Sequence, residues 1–202
     1  MANAGDRVSP GVDAREKWDR VYRGAEGGET PQPARVLAEN AHLLPGSGTA
    51  LDLACGLGGN ALFLARRGLR TQAYDISPVA LARLEARAGQ LGLGVETEAR
   101  DVAAYPPAAA SFDVIVVSRF LDRGLAHSLV EALRPGGLLF YQTYTAEKTS
   151  AAGPSNPAYL LRPNELLELF GELRVVVYRE EGRIGETARG FRDEALLVGL
   201  KI

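Results

Sequence analysis

The sequence predicts an α/β fold: a doubly wound, mostly parallel sheet with helices on both faces and an antiparallel hairpin strand at its C-terminal end. Three observations lead there. Strand-like and helix-like segments alternate from residue 50 to residue 144, the pattern of a parallel sheet with helical crossovers. The most apolar segment, FDVIVVS at 112–118, reads as a central strand buried on both faces. Two late strands are joined by a polar, Gly-rich turn that suits a hairpin.

The elements follow in chain order. Residues 14–22 read as a helix with Trp18 and Tyr22 four apart on one face. Residues 24–33 are a Gly/Pro-rich break, and 34–44 a second helix stopped by Pro45-Gly46. A short strand over 50–54 carries a single acid, Asp52; a glycine turn then opens a helix over 60–67, which Gly68 ends. After a strand over 71–75, Ser77 and Pro78 supply a capping hydroxyl and a first-turn proline for a helix reaching residue 91. Further strands are expected at 95–99, 112–118, 138–144, 173–179 and 194–200, with helices at 125–133 and 163–170. Residues 1–12 are expected to be flexible, and 13–202 to form one domain.

Composition narrows the function. Hydrophobic residues make up 46% and charged residues 24% of the 202, as in an ordinary globular domain. A net charge of -2 offers no general attraction to nucleic acid or anionic lipid. No apolar run reaches the roughly 18 residues needed to cross a bilayer, and Met1–Pro10 lacks the apolar centre of a signal peptide. The single cysteine, Cys55, fits a reducing compartment, so a cytoplasmic protein is expected. His42 and His127 lie in ordinary amphipathic contexts, and no metal site is expected.

The chemistry concentrates where the first strand meets its helix, in Leu51-Asp52-Leu53-Ala54-Cys55-Gly56-Leu57-Gly58-Gly59-Asn60. Small residues at 54, 56 and 58 let the backbone turn sharply against a ligand. The helix that follows aims free amides at the same spot. Asp75 ends the next strand, where a carboxylate can accept from both ribose hydroxyls of a nucleoside. Gly56, Gly58 and Ala61 also satisfy a dinucleotide-binding pattern. Asp52 argues against that reading: an anion inside the strand opposes a pyrophosphate and suits a cationic amino-acid group. Cys55 has no His or Lys nearby in sequence to activate it and reads as a small buried filler.

Over residues 50–144 the chain resembles the class I S-adenosylmethionine-dependent methyltransferases, which have a Rossmann-like fold. Asp52-x-Ala54-x-Gly56-x-Gly58 is similar to their first motif, and Asp75-Ile76 to their ribose-binding acid and its neighbour. Asp101-Val102 resembles the pair that reads adenine, and Ser118 sits where the fourth strand delivers residues beside the methyl group. Leu133-Arg134-Pro135-Gly136-Gly137 is similar to the turn before their fifth strand. Within that family, Trp18-Asp19-Arg20-Val21-Tyr22 and the loop with Asn60 and Phe63 resemble the tellurite-resistance (TehB-like) branch.

The resemblance implies S-adenosylmethionine as cofactor and S-adenosylhomocysteine as product, held by Asp52, Ala54, Cys55, Gly56, Gly58, Asn60, Asp75, Ile76, Asp101, Val102 and Ser118. It makes residues 13–45 a helical lid carrying Trp18 and Tyr22, and the long loop 145–162 a flap over an acceptor pocket. Arg119, Tyr144, Tyr159 and Arg162 are then candidate acceptor contacts, with Arg123 a further cation for an oxyanion. The expected acceptor is a small molecule, of the tellurite, selenite or thiol kind, taken by a monomer or homodimer. No catalytic base is identified, because a soft or anionic acceptor needs none. A protein or nucleic-acid methyltransferase, an inactive cofactor-binding module and an oxidoreductase stay open.

Overall fold

In the computed structural model, which describes residues 12–24 and 31–202, seven strands form one sheet. They are β1 (Thr49–Leu53), β2 (Arg70–Asp75), β3 (Val95–Ala99), β4 (Phe112–Ser118), β5 (Leu133–Tyr144), β6 (Arg174–Arg179) and β7 (Glu194–Leu200). Their order is β3-β2-β1-β4-β5-β7-β6. The first five are parallel, and β7 runs antiparallel to both β5 and β6. The doubly wound sheet with its antiparallel hairpin is therefore as the alternation predicts. The chain leaves β1 in one direction for β2 and β3 and in the other for β4 and β5, so the carboxyl ends of β1 and β4 flank a crevice.

Side chains alternate across each strand, which gives the sheet two apolar faces. Ala50, Val114, Val116, Phe140 and Val198 pack with Val36, Leu37 and Leu64, on the side of α2 (Arg35–Glu39), α3 (Gly59–Arg66) and α4 (Pro78–Gln90). Leu51, Leu53, Ile115, Val117 and Tyr141 pack with Leu129, Leu166 and Phe170, on the side of α5 (Ala126–Ala132) and α6 (Glu165–Leu169). The remaining helix, α1 (Val12–Gly24), lies against α4. No helix among the described residues is long and apolar enough to cross a membrane. The expectation of a flexible N-terminus lies, Val12 apart, outside the described residues, as does the 25–30 part of the Gly/Pro-rich break.

Two elements differ from the sequence reading. The helix expected over 34–44 is only Arg35–Glu39, followed by a 3-10 turn over Ala41–Leu43. The Asn40 side chain donates to the Val36 carbonyl (2.9 Å) and so competes with the helical ladder. The turn expected before β5 lies inside that strand: Phe112 pairs with Leu133, and Val114 next with Leu138. Residues 134–137 therefore loop out as a bulge, with Gly136 in the left-handed region (φ 78°).

Loop 145–162 is fastened from below. The Arg123 guanidinium donates to both oxygens of Glu165 (2.7 and 2.9 Å) and to the carbonyls of Ala158 (2.7 Å) and Leu160 (2.9 Å). Glu165 is almost wholly buried, and this pairing pulls its carboxyl down to about 2. Stability from a depressed carboxyl is complete above its ordinary value and disappears as pH falls towards the folded one. Glu165→Ala is expected to cost about 2 kcal/mol at pH 7, below the range for fully buried pairs because Arg123 is partly exposed. The penalty should vanish as pH falls from about 4.5 towards 2, which urea unfolding across that window measures.

Candidate active site

The chain leaves β1 through three left-handed residues, Ala54 (φ 54°), Gly56 (φ 53°) and Gly58 (φ 78°). The two glycines have different reasons. A side chain at Gly58 would strike Leu84 of α4, so this glycine serves packing. A side chain at Gly56 would come within 2.8 Å of the Tyr22 hydroxyl. The absence of a side chain at Gly56 thus lets the Tyr22 hydroxyl of α1 come close to the loop backbone. Cys55 is buried among Ala61, Leu62, Ala73 and Leu84, and burial pushes its thiol well up. It is a filler of the core, not a nucleophile.

Asp52 has no exposed surface. One carboxylate oxygen accepts from the Ala61 amide (2.9 Å), in the first turn of α3, and the other from the Asn60 side chain (3.2 Å). Burial pushes this carboxyl up to about 7; the bonds from Asn60 and Ala61 oppose the rise, and the charge of Asp75 adds to it. The sequence reading sets Asp52 against a ligand ammonium, whereas in the structure the carboxylate turns inward and caps α3.

Asn60, also buried, is the junction of the site. Its amide nitrogen donates to Asp52 and to the Ser118 hydroxyl (3.0 Å) at the end of β4, and its oxygen accepts from the Ala34 amide (2.8 Å) ahead of α2. Asn60 and Ser118, expected as ligand contacts, hold β1, β4, α3 and α2 in register around the crevice.

Asp75 stands at the carboxyl end of β2, with one oxygen accepting from the Gly56 amide (2.8 Å) and the other from Ser77 (2.9 Å). Burial raises its carboxyl, against the amides of Ser77, Gly56 and Ile76. A carboxylate offers about four acceptor positions, so the direct bonds from Gly56 and Ser77 do not saturate it. Ser77 caps α4 and donates to Asp19 of α1. That tether places α1 over the loop, with the Trp18 and Tyr22 rings stacked 5.7 Å apart. Trp18 is 41% exposed, whereas Tyr22 is half-buried with its hydroxyl towards Gly56. Burial is the main cause that raises the Tyr22 hydroxyl, ahead of the charge of Asp75. Asp101 caps the turn after β3 through the amides of Ala103 (3.1 Å) and Ala104 (3.4 Å), and Val102 is buried in the core.

Beyond the ends of β4 and β5 opens a cleft of about 1030 Å³, walled by Ala34, Ser118, Arg119, Gln142, Phe191 and Glu194 among others. A smaller hollow of about 380 Å³, lined by Thr49, Arg70 and Phe112 at the starts of their strands, lies away from the glycine loop. Of the candidate acceptor contacts only Arg119 lines the large cleft. Tyr144 packs on Gly153, Tyr159 sits in an exposed 3-10 turn, and Arg162 pairs with Glu168 (2.8 Å) and Glu165 (3.4 Å). The cause is Arg123, which draws this end of the loop onto α6.

The β6–β7 turn forms the opposite wall. Arg192 braces it, donating to the carbonyls of Gly182 (2.9 Å), Ile184 (2.9 Å) and Glu186 (3.0 Å). Sequence reasoning missed Gln142, Glu194 and this turn. The one signal was a polar Gln142-Thr143 pair closing an otherwise apolar strand.

Residues 50–137 match a family described as a methyltransferase domain. A ubiquinone biosynthesis O-methyltransferase of Xanthomonas axonopodis is 31% identical over 146 residues, covering 64% of this chain and 56% of that enzyme. An uncharacterized protein of Mycobacterium tuberculosis is 31% identical over 117 residues, 55% of this chain and 42% of its own length. The chain thus spans about half the length of these relatives. Among solved structures, one from work on conversion of a disulfide bond into a thioacetal group in echinomycin biosynthesis superposes with a TM-score of 0.69. It is 26% identical, over 93% of this chain and 92% of that one. TehB from Haemophilus influenzae superposes with a TM-score of 0.68 at 20% identity, over 94% of this chain and 68% of that one, a likeness of fold.

Proposed function

We propose that this chain, which belongs to the class I S-adenosylmethionine-dependent methyltransferases, transfers the donor's methyl group to a small molecule in the cleft beside Ser118. The observation that carries the reading is the charge of the glycine loop. In a dinucleotide site the amides opening the helix are free for a pyrophosphate. Here the Ala61 amide is already taken by the Asp52 carboxylate, and Asp75 and Asp19 lie close enough to raise the local carboxyls further. Three acids repel a pyrophosphate and favour a ligand that carries positive charge.

The residues fit that ligand. Asp75 retains acceptor capacity for ribose hydroxyls, Gly56 has no side chain to block an approach to the loop, and the Trp18–Tyr22 stack lies beside it, where a movement of Tyr22 admits the ligand. When bound, S-adenosylmethionine supplies a methyl carbon made electrophilic by its sulfonium. What the chain adds is position and exclusion of water: Asp75 and Gly56 fix one side, α1 closes over it, and Ser118 and Arg119 border the acceptor. Tellurite- or selenite-type oxyanions and thiols are acceptors that need no protein base. A cytoplasmic monomer or homodimer with no nucleic-acid or membrane partner agrees with the net charge of -2.

Calorimetric titration with S-adenosylmethionine, S-adenosylhomocysteine and NAD is the test. Both adenosyl compounds should bind and NAD should not. Binding of NAD alone overturns the reading. Transfer of labelled methyl to an acceptor panel then separates an enzyme from a module that only binds.

A further inference from the structure

We infer that the acceptor is an organic molecule carrying a carboxylate, and that Arg119 is the residue that selects it. The inference rests on the methyltransferase reading and names its substrate class. Four features of the cleft point to it.

Arg119 follows β4 with φ 54°, a conformation that costs a side-chain-bearing residue energy and is kept where a side chain must be aimed. The peptide is held there by its amide, which donates to the Gln142 carbonyl (2.8 Å). The guanidinium is held as well. Its Nε donates to Glu194 (3.2 Å); the other Glu194 oxygen accepts from the Gln142 side chain, whose own oxygen accepts from the Val36 amide (2.7 Å). A relay from α2 through β5 and β7 therefore sets the direction of one arginine.

That arginine is only half used. Its side chain is 68% exposed, and among the described residues Nη1 and Nη2 have no partner. Glu194 is nearly buried with both oxygens engaged, so the free guanidinium edge is the group offered to a ligand. Two parallel N–H groups match a carboxylate in a bidentate pair.

The cleft has room for far more than a bare oxyanion. At about 30 Å³ per water-sized group, a three-oxygen anion occupies on the order of 100 Å³, whereas the cleft holds about 1030 Å³. That volume suits an organic ligand. Pro33, Ala38 and Ala188 add apolar surface to a lining that also carries Arg35, Glu39 and Thr187, and Arg35 and Arg179 cover the buried Phe191 ring at 5.2 and 5.6 Å from its centroid. A carboxylate on Arg119 leaves the nucleophilic end of such a molecule, a thiolate or phenolate that needs no protein base, towards Ser118.

The experiment is calorimetry on the full chain saturated with S-adenosylhomocysteine. The probes are 4-hydroxybenzoate and 3-mercaptopropionate, each against its methyl ester. At least one acid should bind tenfold or more tightly than its ester. Arg119→Gly should abolish that difference while the variant stays folded and still binds S-adenosylhomocysteine, since glycine accepts the left-handed backbone and Glu194 keeps its bond from Gln142. Arg119→Asn, which also tolerates this conformation, gives the same reading if the glycine variant folds poorly. Esters binding as well as acids, discrimination surviving in both variants, or no binding of either acid would each overturn the inference. Failure to bind S-adenosylhomocysteine would instead sink the methyltransferase reading beneath it.

Discussion

Asp75→Ala is expected to weaken S-adenosylmethionine binding at least a hundredfold and to lower stability as well. Hydrogen bonds to a charged acceptor contribute about 1.5–3 kcal/mol each. Two ribose hydroxyls on this carboxylate therefore amount to about 3–6 kcal/mol, and 1.4 kcal/mol is a factor of ten. The stability loss has a separate origin, because the amides of Gly56 and Ser77 lose their acceptor in a buried place. Asp75→Asn distinguishes the two effects. A carboxamide accepts from one amide and presents its own N–H to the other, so it strains the loop while still offering one acceptor to the ribose. Affinity should fall less than with alanine, by about tenfold. Calorimetry beside thermal unfolding measures both quantities. A variant that melts earlier but binds the cofactor normally would reduce Asp75 to a structural cap.

Much of this was legible in the sequence, for reasons that particular residues make plain. Strand and helix periodicity is local, so β4 and α4 lie at their expected bounds within a residue. Ser77-Pro78 names the start of α4 because capping chemistry is local too. Asp75 was legible because a strand end, a glycine loop and a fixed spacing place it. Asp52 was legible as an important acid, but its bonds to Asn60 and the start of α3 were not. Strand alternation puts it on the face of Ala50, but only the topology shows that α3 covers that face. Asn60, Gln142 and Glu194 were harder still. Apart from Asp52, eight residues before Asn60, the groups their side chains bond lie 26 to 106 residues away, and no local pattern records such a bond. Loop 145–162 lines the cleft through Thr149, but the placement of its far end, with Tyr159 and Arg162, depends on Arg123 meeting Glu165 across 42 residues.

Asn60→Ala is the substitution with the widest structural consequence. It removes a donor to Asp52, a donor to Ser118 and the acceptor of the Ala34 amide. At about 1 kcal/mol for each lost bond the cost is about 3 kcal/mol, or roughly 6–12 °C in melting temperature for a chain of this length. The pH dependence identifies which bond matters most. Asp52 titrates at about 7 in the fold against an ordinary 3.8. A raised carboxyl stabilises the fold fully below the ordinary value, and that contribution is lost as pH rises through the folded one. Wild-type stability should thus decline through this group between about pH 4 and 7 and then level off. The Asn60 bond is the largest influence holding the value down against burial. Without it the folded value moves higher, and the decline continues past pH 7. The stability gap between wild type and Asn60→Ala should therefore widen from pH 5.5 to 8.5, as urea unfolding across that range can measure. A gap independent of pH would mean that Asn60 serves α2 and Ser118 alone, with the charge of Asp52 stabilised by the Ala61 amide and the start of α3.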